Sequence, residues 1–211
     1  MRGAALTLAL CLSGLPAVAG PWPRAEGGLF FSLSAGAADV SLWAEYGLRK
    51  TRWIAADLRR DADGALMGAL IFNQALPLPG SLGERVVAAL HSRGEVSRSA
   101  AGFYESASRF GLSAGLGFSR PWSGWLTVAA AYEYRLDTPA LMSDWSLGLK
   151  VHPRIAALFQ GEHAQPEDLP AVHKFGATAV LTLNDRLRVT AGLWQSRNGS
   201  REFRLGSWLE F

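Results

Sequence analysis

Phe110-Gly111-Leu112-Ser113-Ala114-Gly115-Leu116-Gly117-Phe118 carries two faces in one short stretch: Phe, Leu, Ala, Leu, Phe at the even positions and Gly, Ser, Gly, Gly at the odd ones. A period of two is the alternation of a β-strand. The chemistry of the two faces narrows the class of sheet. A soluble sandwich packs its bulky face inward and charges the other. A face of Gly and Ser makes neither a core nor a soluble exterior. It suits the lumen side of a strand whose apolar side meets lipid, as in a transmembrane barrel. A soluble lipocalin-like barrel is the alternative.

The same alternation recurs along the chain. Leu126, Val128, Ala130, Tyr132 and Tyr134 stand opposite Thr127, Ala129, Ala131 and Glu133, and Trp145, Leu147, Leu149 and Val151 opposite Asp144, Ser146, Gly148 and Lys150. Phe175, Ala177, Ala179, Leu181 and Leu183 alternate with Lys174, Gly176, Thr178 and Thr182. The spacing predicts twelve strands, at 28–35, 39–48, 52–60, 65–74, 83–91, 109–119, 125–135, 143–151, 155–163, 174–183, 186–196 and 201–211, with ten the alternative count. The fold class expected is all-β, a transmembrane antiparallel up-and-down barrel over residues 28–211. An even number brings both ends of the barrel to one side, the periplasmic side. Arg49-Lys50, Pro121 to Gly124, His152 to Arg154 and Asn184-Asp185 read as tight periplasmic turns. Residues 92–108, 136–142 and 164–173 read as longer external loops.

The first residues carry Arg2, an apolar stretch from Ala4 to Val18, and small residues at Ala17 and Ala19. This is the pattern of a cleavable secretory signal over residues 1–19, followed by a periplasmic segment at 20–27. The sole cysteine, Cys11, lies inside it and follows Leu10, where a lipoprotein signal needs a small residue. Half of the 211 residues are apolar, 49%, yet no run after residue 20 is long enough for a spanning helix. Lys and Arg number 21 against 18 Asp and Glu. So near a balance gives no electrostatic basis for binding nucleic acid.

The last strand alternates Phe203, Leu205, Leu209 and Phe211 with Arg204, Gly206, Trp208 and Glu210, with Ser207 breaking the apolar face. It resembles the carboxy-terminal signature of Gram-negative outer-membrane proteins, a terminal aromatic preceded by apolar residues at alternate positions. That resemblance implies an outer-membrane location, lipid as the surrounding partner, and recognition of Phe203, Leu205, Leu209 and Phe211 by the barrel assembly machinery. The end of a strand at Tyr46-Gly47-Leu48 with its polar turn also looks like small barrels of the porin or transporter-like kind.

Catalytic constellations are not found. His91-Ser92 is the closest pair of base and nucleophile, but adjacent residues on a strand face opposite ways. Outer-membrane phospholipase A, itself twelve-stranded, has a class pattern with His and Ser two apart and an Asn-Gly following; Arg93-Gly94 departs from it. Lipid A deacylase-like spacing is missing too. His163 and His173, with Glu162, Glu167 and Asp168, fall in one predicted loop without diagnostic metal-ligand spacing. Asn198-Gly199-Ser200 matches a glycosylation sequon but reads better as a hairpin turn. Gly111, Gly115 and Gly117 precede no helix and form no phosphate loop. No catalytic, cofactor or metal site is expected.

The lumen carries the functional reading. Inward positions near mid-strand are Ser113, Gly115, Ala129, Gly148, Thr178, Thr190, Gly192 and Gly206, candidates to line a pore. Charges at Glu45, Arg85, Arg109, Glu133, Asp144, Lys150, Lys174 and Arg188 are expected toward its mouths. Trp122, Trp125, Phe110, Tyr134, Trp145 and Phe175 read as interfacial girdles. Trp43, Trp53, Trp194 and Trp208 point inward, either as a stacking track for a solute or as filling opposite inward glycines. The expected function is a narrow passive pore or transporter for a small hydrophilic solute. A closed barrel of structural or surface-interaction role is the rival reading. Arg–Glu pairs, the inward tryptophans or residues 20–27 folded inside would close it. A lipid-modifying enzyme comes third.

Overall fold

The computed structural model describes residues 22–79, 86–119, 122–135, 138–167 and 169–211. The leader at 1–19, Arg85, Pro121 and Asp168 lie outside the described residues. The chain is an all-β, closed antiparallel barrel with twelve strands among the described residues. They are β1 Leu29–Gly36, β2 Asp39–Arg49, β3 Arg52–Asp61, β4 Leu66–Leu76, β5 Val86–Arg98 and β6 Tyr104–Phe118, then β7 Ser123–Arg135, β8 Ala140–His152, β9 Ile155–Pro166, β10 Val172–Thr182, β11 Leu187–Ser196 and β12 Arg201–Glu210. Each pairs with its sequence neighbours, and β1 pairs with β12 to close the ring. Beyond that seam, Leu29 and Phe211 exchange both backbone hydrogen bonds, at 3.1 and 2.9 Å.

Alternation sorts the side chains. In β2, Asp39, Ser41, Trp43, Glu45 and Gly47 are buried in the interior while Val40, Leu42, Tyr46 and Leu48 are exposed outside. The exterior is an apolar surface in which Leu70 is 71% exposed and Phe110, Leu112, Tyr132 and Leu205 are more than half exposed. A surface of that extent is unfavourable in water and belongs in lipid. Among the described residues no helix is long and apolar enough to cross a membrane; strands do the crossing.

Expectation and structure part at the end of the barrel opposite the termini. Residues 92–108 are not a long loop, since β5 runs on to Arg98, β6 starts at Tyr104, and a tight hairpin joins them. Residues 140–142, 164–166 and 172–173 also belong to strands, and the connections at this far end are all short. At the end that carries the termini, β4 stops at Leu76 and β5 begins at Val86, and residues 80–85 between them lie outside the described residues. The physical reason is that a strand leaving the lipid no longer needs an apolar outer face. Its period-two signal fades while its backbone pairing continues, as at Ser97↔Glu105 and Gly94↔Ser108 outward of Arg93↔Arg109. A usable signal was there in the turn glycines. Gly64, Gly102 and Gly199 have φ of 93°, 87° and 83°, the left-handed region that favours glycine. All three close hairpins of one pattern, in which the glycine N–H donates three residues back, to Asp61, Ser99 and Ser196. At Asn198 the turn reading holds: its Oδ1 accepts from the Ser200 N–H and hydroxyl.

Several glycines face an aromatic ring directly across a strand pair. Gly148 lies opposite Trp125, Gly176 opposite Trp194 and Gly161 opposite Trp145. A Cβ on any of them would fall 2.2 to 2.5 Å from ring atoms. Trp125 therefore lies inward over Gly148 and is not part of a girdle with Trp122, which is exposed. Trp194 over Gly176 fills space opposite a glycine. Replacing Gly148 by Val forces the Trp125 ring off its seat; overpacking of this kind costs about 1–3 kcal/mol. We expect a lower midpoint in urea unfolding of the refolded barrel, while Gly94→Val, where the added atom meets nothing within 4 Å, leaves it nearly unchanged.

Candidate functional site in the barrel interior

Two kinds of wall enclose the interior. On β6 to β8, alternation directs Ser113, Gly115, Ala129 and Gly148 inward, and on β10 to β12 it directs Thr178, Thr190, Gly192 and Gly206 inward. Ser113 and Ala129 are register partners and both keep partial exposure. Thr127 and Ser146, also inward, join hydroxyls at 2.6 Å. Thr178 faces Gly192 and Thr190 faces Gly206 across their strand pairs.

The opposite wall, β1 to β5, is bulky and dry. Trp53 and Phe30 are 1% exposed and Asp57 0%. Phe30, Trp43, Ala55, Met67, Ala69, Ile71 and Trp208 form one apolar cluster that includes Leu158 and Val180 from β9 and β10, across the ring. Sequence reasoning placed Trp43, Trp53 and Trp208 inside but not this cluster. In β4 both faces are apolar, Met67, Ala69 and Ile71 inward and Leu66, Leu70 and Phe72 outward, so its alternation does not tell the faces apart.

Much of the charge inside the barrel is paired. One chain of alternating sign runs Asp57, Arg93, Glu95, Arg135, Glu133, Arg109. Its links are Arg93 Nη2 to Asp57 and to Glu95 at 2.9 Å each, Arg135 Nη2 to Glu95 at 3.4 Å and to Glu133 at 3.5 Å, and Arg109 Nη2 to Glu133 at 2.6 Å. A second runs Asp61, Arg59, Asp39, Arg204, Glu202. Three of these links skip a strand, from β5 to β3, from β7 to β5 and from β12 to β2, which alternation alone does not reveal. At the end carrying the termini, Arg24 pairs with Glu45, which also accepts from Trp43 Nε1 at 2.9 Å. The Arg24 guanidinium also lies 4.3 Å from the Phe30 ring centre. Residues 24–25 thus fold against β1 and β2, their carbonyls over Gly47. Arg188 pairs with Glu210 there at 3.0 Å.

Of the expected mouth charges, Glu45, Lys150 and Arg188 lie toward the end with the termini and Lys174 toward the far end, opposite Glu162. Arg109 and Asp144 sit deeper, because β6 and β8 extend past them to Tyr104 and Ala140. The far mouth opens into a cavity of about 800 Å³ lined by Glu162, Lys174, Trp194, Arg197, Arg201, Glu202 and Arg204.

The remaining sequence candidates separate. His91 points inward, toward Gly111, and Ser92 outward, so the two do not form a dyad. Glu162 faces the interior while His163 and His173 are register partners on the outer face. Among the described residues no three His, Cys, Asp or Glu converge on a metal position. Phe203, Leu205 and Phe211 are exposed on the outer face, and Leu209 pairs with Phe31 and Leu187.

No family model matches this sequence, and no curated protein matches it. Solved structures do match in shape. A KdgM porin in complex with disordered oligogalacturonate superposes with a TM-score of 0.68 at 5% identity, over 87% of this chain and 99% of that one. The NanC porin gives 0.62 at 8% identity, over 87% and 99%. The Acinetobacter baumannii outer membrane protein Omp33 gives 0.56 at 9% identity, over 88% and 99%. The fold is that of a porin-like outer-membrane β-barrel. At these identities the likeness is one of fold, and the porin-like barrel keeps it with almost none of the same side chains.

Removing the Arg93 guanidinium tests the inner chain of charge. Arg93→Met leaves Asp57 and Glu95 buried without their main partner, and breaking a buried pair on one side costs about 3–5 kcal/mol. We expect a marked loss of stability to denaturant, partly restored by adding Asp57→Asn.

Proposed function

We propose that this porin-like barrel provides a narrow passive passage for a small hydrophilic solute across the outer membrane. The observation that carries it is the asymmetry of the interior: Ser113, Thr127, Ala129 and Ser146 keep partial exposure while the facing wall is packed. In this reading the passage runs beside β6 to β8 and past Trp125, which packs against the central cluster.

The KdgM structure contains an oligogalacturonate, a polyanion. Here the interior arginines are engaged by carboxylates, so the reading is a small polar solute with little selection by charge sign. Export through a leader at 1–19 and assembly through Phe203, Leu205, Leu209 and Phe211 belong to the same proposal. The cluster joining β3 and β4 to Leu158 and Val180 favours a second reading, a closed barrel of structural role.

Single-channel conductance in a planar bilayer separates them. We expect a small steady conductance that falls severalfold in Ser113→Trp/Ala129→Trp and rises in Leu158→Ala. Silence from a barrel that still migrates as folded, in both wild type and Leu158→Ala, overturns the passage and favours the closed barrel.

A further inference from the structure

His163 and His173 are a pair whose chemistry the passage does not use. They sit directly opposite each other on β9 and β10, and both face outward, away from the lumen. Directly opposed residues in an antiparallel pair have Cβ atoms about 4.5–5.5 Å apart, close enough for two imidazoles to meet. Here they do meet: the rings stack with centroids 4.5 Å apart and planes 30° from parallel, and Nδ1 approaches Nδ1 to 3.0 Å. The separation falls from 4.5 Å at the centroids to 3.0 Å at Nδ1, so the rings approach at the Nδ1 edge, where one Nδ1–H donates to the other Nδ1.

We propose that His163 and His173 are a two-histidine chelate for a divalent transition-metal ion on the outer surface of the barrel. Imidazole nitrogens favour zinc, copper and nickel over the hard alkaline-earth ions. With metal–nitrogen bonds of about 2.0–2.1 Å, two nitrogens on one ion stand about 2.9 Å apart at a right angle and about 3.4 Å at the tetrahedral angle. The 3.0 Å separation falls within that span, so an ion can take the place of the shared Nδ1 proton once the donor ring moves its proton to Nε2 and the rings turn toward the ion.

The site's height on the wall fits this role. The row Ser143, His163, His173 runs across β8 to β10 immediately past the row Trp145, Gly161, Phe175, toward the far end. Trp145 and Phe175 are exposed aromatic residues of the kind that mark the edge of the hydrocarbon. Beyond that edge an ion keeps its remaining coordination positions open to water. Glu162 and Lys174, the chain neighbours of the two histidines, face the lumen and supply no ligand on this side. The ring nitrogens that bind the ion must be unprotonated.

The test is titration of the folded, tag-free barrel in detergent with Cu²⁺, followed by calorimetry and by electron paramagnetic resonance. One equivalent should bind with coupling to two nitrogens, and Zn²⁺ should compete for it. Loss of even an outer partner of a ligand costs about 10–100-fold in metal affinity, and His163→Gln or His173→Gln should cost at least as much and remove the two-nitrogen coupling. His152→Gln, at the other end of β8, should change neither. Gel migration of the unheated protein shows that each variant is folded. Equal affinity and an unchanged spectrum in the folded His163 and His173 variants overturn the proposal, as does a wild type with no coupling to two nitrogens.

Discussion

The pairing of β1 with β12 is the contact on which the rest of the molecule depends. In hydrocarbon a backbone N–H or C=O without a partner costs several kcal/mol, so a sheet in lipid cannot keep an edge. The seam from Phe30↔Glu210 to Gly36↔Arg204 removes both edges at once, and Leu29 and Phe211 extend it by one more pair of hydrogen bonds. Outside that seam Phe31 and Phe211 meet edge to face at 6.3 Å; inside it Phe30 meets Trp208 at 6.4 Å. The closing strand is therefore held by backbone, by lipid-side rings and by the apolar cluster of the interior.

Closure then sets the problem of what fills the ring. Twelve strands enclose more room than eight, whose interior side chains can fill alone. This chain divides the interior: one wall packs Trp43, Trp53, Phe30 and Met67 into the space, and the other is kept thin with Gly, Ser, Ala and Thr. Between them charge is arranged in strings of alternating sign. A carboxylate as buried as Asp57 needs close cations, since the cost of taking a charge out of water is offset only by pairing and hydrogen bonds. The pairing leaves the interior polar without a strong field of either sign. It also braces the wall, because links such as Arg93 to Asp57 and Arg204 to Asp39 tie strands that share no backbone hydrogen bonds.

At the far end the strands outlast the membrane. Pairing persists through Arg98↔Tyr104 and Ala140↔Pro166, and between β5 and β6 a tight hairpin closed by Gly102 stands in place of a long loop. This carries His163 and His173 out of the predicted loop and into a ladder, where register brings two side chains ten residues apart into contact. A loop would have left their separation undefined; an antiparallel pair fixes it.

The local pattern of the chain determined most of the architecture. Period-two alternation of apolar with small residues in β6, β7, β8, β10 and β12, together with tight turn signals, specified strands, faces and an even count, because lipid on one side and lumen on the other impose opposite chemistries on successive residues. It also directed Ser113, Ala129, Thr178, Thr190 and the inward tryptophans to the interior. Where that contrast vanishes the sequence is silent: in β4 both faces are apolar, and at the far ends of β5, β6, β8 and β9 neither needs to be. Only the tertiary structure decided how deep Arg109 and Asp144 sit, that Trp125 covers Gly148, and which carboxylate answers each arginine. Only it decided that Leu158 and Val180 reach a cluster built on β3 and β4, and that two histidines share a register. All of these depend on which residues of different strands stand level around a closed ring, a property of the stagger between strands that no single strand's alternation encodes.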